Sequence, residues 1–275
     1  MAMCSICPRR CKLNEGQTGF CKARACVKGA VVPINYGKIT SLALDPIEKK
    51  PLYHFYPQSK ILSVGSFGCN LRCPFCQNYH ISMAGINDYE HQDVTPEQLV
   101  NLAMQLAREP QGNLGVAFTY NEPFISYEFV RDCAKLLHQV GLKTVLVSNG
   151  HINPEPLRAL LPLIDAMNID LKGFTPEYYD YVGGDFECVK NTIVASFDKC
   201  HVEVTTLVVP TKNDSPDAME QEASWLASLS PEIPLHISRY FPRYKSDIPA
   251  TAVETIYRLR DVAQKHLRYV HVGNC

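Results

Sequence analysis

Residues 60–82 read KILSVGSFGCNLRCPFCQNYHIS. An apolar, strand-like run is followed at once by Cys69, Cys73 and Cys76, three thiols within eight residues. Three thiolates are one short of the four that close a structural metal site. A cubane iron–sulfur cluster has four iron corners, and a loop this short reaches three of them. The fourth iron is then open, and an open metal position is where a small molecule binds and reacts. The spacing alone also admits a zinc knuckle completed by His80 or His91, or a set of buried thiols.

Working outward, strand-like runs alternate with amphipathic segments from Lys60 to the end of the chain. The strands fall at residues 60–67, 113–120, 142–149, 165–172, 201–209, 233–241 and 267–273. Thr95-Pro96-Glu97-Gln98 carries the cap, first-turn proline and third-position glutamine of a capping box, and Ser215-Pro216-Asp217 repeats the cap and proline. Gly141 is a stop signal for the helix before it. Repeated βα units imply a parallel sheet with right-handed crossovers, either doubly wound or a complete or partial barrel. In each of these, ligands gather at the carboxyl ends of the strands. Residues able to do chemistry stand at those ends: Cys69, then Tyr120, Asn121 and Glu122, then Ser148 and Asn149, then Asp170 and Lys172, and in the sixth strand His236 and Arg239. Taken singly they have plainer readings. Ser-Asn-Gly is an ordinary turn, an Asp and a Lys two apart form a surface pair, and a histidine in an apolar strand is a core residue.

Upstream, residues 1–30 are cysteine-rich and lack apolar periodicity, as expected of a small element held together by ligands and not by a core. Residues 30–57 alternate apolar and polar positions between turn signals, which suggests a hairpin, with Glu48-Lys49-Lys50 as a solvated turn. The expected organisation is a cysteine-rich extension with a hairpin over 1–58 and an α/β unit over 59–275.

Twelve cysteines are many for a chain in a reducing compartment, where clustered thiols are metal ligands more often than disulfides. Cys133 reads as core packing, and Cys188, Cys200 and Cys275 as free thiols. With 27 basic and 28 acidic residues, no global field points to nucleic acid or to an anionic membrane. The basic CPRRCK of residues 7–12 has too few charges to change that. No apolar run reaches the roughly 18–20 residues of a membrane span, and the start lacks a signal-peptide core, so a cytoplasmic chain is expected.

The order x3 then x2 between the cysteines, directly after a first strand and with Phe75 before the last Cys, resembles the signature loop of the radical S-adenosylmethionine (SAM) superfamily. The likeness extends through residues 35–78, AFTYNEP (117–123), VSNG (147–150), IDLKGF (169–174) and HISRYFP (236–242). These resemble the AmmeMemoRadiSam-type enzymes, relatives of pyruvate formate-lyase activating enzyme. The resemblance implies a partial (β/α)6-type TIM barrel with a small metal-binding extension. It implies a 4Fe-4S cluster on Cys69, Cys73 and Cys76, whose open iron is chelated by SAM. Reductive cleavage then gives a 5′-deoxyadenosyl radical that abstracts hydrogen from a substrate, either a glycine of a partner protein or a small molecule. The electron comes from a flavodoxin- or ferredoxin-type reductant.

The same resemblance assigns Glu122 to the SAM ammonium, Ser148 and Asn149 to ribose or carboxylate, and Asp170 and Lys172 to a position beside the cofactor. His236 and Arg239 would touch cofactor or substrate. Tyr120 and Asn121 replace the glycines usual before the acidic residue. Cys4, Cys7, Cys11 and Cys21 belong to the likeness too, as ligands of Zn2+ or of an auxiliary iron–sulfur cluster, with Cys26 a spare or substitute. Longer members carry a cysteine-bearing tail past the VGN of residues 272–274. A different class, a non-catalytic metal-binding or redox-sensing module, leaves the polar residues at successive strand ends unexplained.

Overall fold

The computed structural model describes residues 1–275. The main sheet contains β1 (Ser41–Pro46), β2 (Lys60–Gly65), β3 (Gly115–Phe118), β4 (Lys143–Ser148), β5 (Ala166–Asp170), β6 (His201–Val208), β7 (Leu235–Arg239) and β8 (Val270–Gly273). These strands lie side by side in chain order. The seven from β2 to β8 are parallel, and β1 runs antiparallel to β2 at one edge. Each parallel strand but the last is followed by helix, so six βα units and a final strand curl into a barrel left open between β1 and β8. All seven strands expected from the sequence form.

Local signals account for the helix starts. In Pro96–Arg108 the Thr95 hydroxyl accepts from Gln98 N, and Thr95 N donates to the Gln98 side chain, so both halves of the capping box are made. Pro216 opens Pro216–Leu229 without a side-chain bond from Ser215. Gly141, at φ +76°, ends Tyr127–Gln139.

Residues 30–57 depart from the expected hairpin. Ala30–Pro33 pairs backward with Arg24–Val27, Lys38–Ile39 pairs with Gln92–Asp93, and β1 pairs with β2. The edge of β2 would otherwise leave unpaired backbone groups, and β1 supplies the partner. Nor is 48–50 simply a solvated turn. Lys50 is only 3 % exposed, its Nζ is 2.9 Å from Asp45 Oδ2, and the same carboxylate accepts from the Tyr120 hydroxyl at 2.8 Å.

The amino ends of the strands are closed by the segment after that turn. Leu52 and Phe55 pack with Ile47, Ile61, Ala117, Val145 and Ala166. Glu203, fully buried on β6, accepts from the backbone N–H groups of Tyr53 (3.0 Å) and His54 (2.8 Å), and also pairs with His201 (2.9 Å) and His236 (2.6 Å). The barrel therefore has a polar but fully bonded floor, and its accessible end is the carboxyl end.

On the outer face, Glu222 is buried against β6 with Oε1 2.5 Å from the Thr206 hydroxyl, which also lies 2.9 Å from Leu171 O. One hydroxyl proton serves one acceptor, so when it goes to Leu171 the carboxyl itself must donate. Burial pushes this carboxyl up to about 8, against the opposing Thr206 bond. A raised folded-state pKa gives stability that is complete below the unfolded value and is lost as pH rises through about 8. We expect wild-type stability to fall between about pH 5 and 9, and Glu222→Gln to be the more stable by about 2–4 kcal/mol at pH 9. Denaturant titrations at several pH values check this; parallel pH profiles for the two proteins would contradict it.

Candidate active site

The loop after β2 folds back over the carboxyl end of the barrel. Cys69, Cys73 and Cys76 line one cavity of about 300 Å³ together with Tyr120, Asn121, Glu122, Asn149, Asp170 and Lys172. Neither His80 nor His91 borders it, so neither completes a zinc knuckle there.

Several residues expected at the ligand also build the loop that carries the thiols. Asn121 Oδ1 accepts from Ser66 N at 3.0 Å, and its Nδ2 donates to Phe67 O and Gly68 O at 3.2 and 3.1 Å. Asn149 Nδ2 donates to Asn70 Oδ1 at 2.9 Å and lies 3.6 Å from Cys69 Sγ, and Leu71 N lies 3.4 Å from the same sulfur. Tyr120 adopts φ +69°, where glycine would be unstrained. Its ring leans on Gly65, where any side chain would collide with it.

Glu122 is buried and largely spoken for. Oε1 accepts from Phe124 N (2.9 Å) and Ser148 Oγ (2.8 Å), and Oε2 accepts from Asn149 N (2.9 Å). Burial raises this carboxyl to about 7, with the three donors pulling the other way. It borders the cavity with acceptor capacity left on Oε2. Ser148 is turned from the cavity toward Glu122. Lys172 Nζ is 2.7 Å from Asp170 Oδ2. Burial disfavours its charge, but Asp170 and the thiols of Cys73 and Cys76 outweigh that and hold the ammonium above its ordinary range. Burial raises the Cys69 and Cys73 thiols, Cys73 to about 11.

Two expected residues lie elsewhere. His236 points into the barrel but one layer below the cavity, against Glu203. Arg239 alternates to the outside, where Nε donates to Thr251 O at 2.7 Å. The inward neighbour between them, Ser238, borders the cavity, as do Asn78, Thr205 and Asn274. Period-two alternation from His236 was the signal that finds Ser238 and excludes Arg239. Asn78, whose Nδ2 donates to Tyr120 O at 2.8 Å, follows the cysteine loop with no comparable signal.

At the amino terminus Cys4, Cys7, Cys11 and Cys21 line a second, enclosed cavity, while Cys26 faces Glu15. The extension is bound to the loop after β2 by Arg9, which donates to Asn70 O, and by Arg72, which donates to Phe20 O.

A parallel barrel with three loop thiols and a polar ring at its carboxyl ends defines a class. The Radical SAM superfamily model matches residues 63–223, more than half of the chain, and the chain belongs to that superfamily. It is 40% identical over 275 residues to an uncharacterized protein of Methanocaldococcus jannaschii, covering 98% of this chain and 80% of that one. A putative glycyl-radical enzyme activating enzyme of the same organism is 27% identical over 172 residues, 59% of this chain and 67% of that protein. Among solved structures, a radical SAM methyltransferase from Sphaerobacter thermophilus superposes with a TM-score of 0.58 at 16% identity, over 79% of this chain and 67% of that one, which is a likeness of fold. Membership supports an enzyme and implies a 4Fe–4S cluster and SAM. The donor set suits both: three thiols on one cavity wall with no fourth thiol or imidazole, and beside them a carboxylate pair, an ammonium and amides. No helix is long and apolar enough to cross a membrane.

Proposed function

We propose that the chain cleaves SAM reductively at a 4Fe–4S cluster held by Cys69, Cys73 and Cys76, and abstracts a hydrogen atom from a glycine of a partner protein. The observation that carries this reading is the shared cavity, which brings the three thiols together with Glu122, Asn149, Asp170 and Lys172 from three successive strand ends. Cluster and SAM together supply a low-potential electron and a 5′-deoxyadenosyl radical.

The chain's own residues do the rest. Asn149 and Leu71 N aim N–H groups at the Cys69 sulfur, which stabilises a thiolate there. The Lys172 ammonium adds positive charge near Cys73. The remaining Oε2 acceptor of Glu122 suits an ammonium, and Asn149 and Asp170 offer hydrogen-bond partners to carboxylate and ribose. The bonded floor at Glu203 keeps water from entering below. In the amino-terminal extension Cys4, Cys7, Cys11 and Cys21 hold a metal centre, zinc or iron–sulfur.

A protein substrate is favoured over a small molecule by size. The cavity of about 300 Å³ is at the lower limit of ligand pockets, so a bound SAM leaves little interior space, which suits a substrate that presents its C–H bond from outside. The relative named as an activating enzyme agrees with this. A flavodoxin- or ferredoxin-type protein is the expected electron donor. The test uses cell fractions labelled with α-deuterated glycine, supplied anaerobically with SAM and reductant. Deuterium in 5′-deoxyadenosine from the protein fraction supports the reading. Label arriving only from the small-molecule fraction overturns the protein substrate.

A further inference from the structure

The amino-terminal thiols enclose empty space. Cys4, Cys7, Cys11 and Cys21 border an enclosed void of about 10 Å³. A single tetrahedral zinc ion holds its four sulfurs at roughly 2.3 Å from one point, so the sulfurs close on each other and leave no such void. No three cysteine, histidine or carboxylate side chains anywhere in the chain are gathered closely enough to hold one metal ion. The four thiols border one void without converging on a single ion site.

Water is a poor occupant. Apart from the thiols, the walls are largely aliphatic, with Ile6, Leu13 and Ile125 among them. A water needs two to four polar partners, and an unfilled apolar void forfeits packing. A cubane meets both conditions, with iron corners facing the four separated thiolates and inorganic sulfides against the aliphatic wall. Arg9 also borders the void, and its guanidinium, which pairs with no carboxylate, complements an anionic cluster, whereas Arg24 is already paired with Glu128 at 2.6 Å.

We propose that Cys4, Cys7, Cys11 and Cys21 hold a second 4Fe–4S cluster, ligated by the protein at all four corners, and that it is built into one unit with the loop carrying Cys69. Arg9, between Cys7 and Cys11, donates from Nε to Asn70 O at 2.7 Å. Arg72 donates to Cys69 O at 2.7 Å and to Phe20 O. Both guanidiniums face the Phe20 ring, 3.4 and 4.0 Å from its centroid. Cys21 O sits so close to Gly68 that a Cβ there would stand 2.4 Å away. The ligand loops of the two sites thus touch on both sides of Cys69.

The test counts metal, which does not depend on whether the first loop binds SAM. After anaerobic reconstitution the wild type should carry about eight irons and eight sulfides per chain, with no stoichiometric zinc. Cys73→Ser/Cys76→Ser should keep about four of each, and Cys7→Ser/Cys11→Ser should lose the complementary four. Should a variant fail to fold, native mass spectrometry of the wild type still separates two clusters from one cluster and a zinc ion. About four irons and one zinc in the wild type, or no iron in Cys73→Ser/Cys76→Ser, overturns the proposal.

Discussion

Glu203→Ala is expected to lower the stability of this protein by about 3–5 kcal/mol, as breaking a buried, fully bonded charged network does. Burial alone would raise the Glu203 carboxyl, but the bonds from His201, His236, His54 N and Tyr53 N outweigh it and hold it at about 2. Alanine leaves two backbone N–H groups and the His236 ring without their acceptor inside the barrel floor. A depressed carboxyl contributes stability that is present above its unfolded value and lost as pH falls through the folded one. The difference between wild type and variant should therefore shrink from about pH 4.5 downward to about 2. Urea midpoints at pH 7 and at pH 3 measure both effects. A loss below about 1 kcal/mol at pH 7 would mean that the floor is not closed by this carboxylate.

The second large effect is expected at Gly68, the residue before Cys69. Its φ is +86°, which costs an alanine about 1–2 kcal/mol. The heavier penalty is steric, because the added Cβ would lie 2.4 Å from the Cys21 carbonyl oxygen and 2.9 Å from Ala23 Cβ. Backbone, not a flexible side chain, is in the way. Gly68→Ala must therefore push the cysteine loop off the extension, and with it the Cys69 thiol. We expect far-ultraviolet circular dichroism to be retained while iron at the first loop falls several-fold. Iron content equal to wild type would show that the loop position does not matter for metal uptake.

The sequence shows most of the scaffold, because apolar runs, caps and turn residues are local signals that need no distant partner. All seven parallel strands and the Thr95 capping box follow from them. The three loop cysteines and the strand-end residues Glu122, Asn149, Asp170 and Lys172 were equally legible, since strand ends converge in any parallel barrel. Roles were less legible than positions. Asn121 braces the cysteine loop, and Ser148 serves Glu122. His236 is held by a floor carboxylate that no local pattern links to it, and Arg239 stands on the outer face. Lys50 looked like a turn residue because its ring partner, Tyr120, comes from the end of another strand, where Nζ lies 4.8 Å from the ring centroid. Side chains that satisfy one another across the barrel are fixed by tertiary geometry, which composition and spacing do not carry.

The most direct test of the account is the amount of 5′-deoxyadenosine formed when the reconstituted protein is mixed anaerobically with dithionite and SAM, with Cys73→Ala as control. The account predicts the nucleoside with the wild type and none with the variant. A wild type that assembles its cluster, shows no spectral change on adding SAM and forms no nucleoside would contradict it.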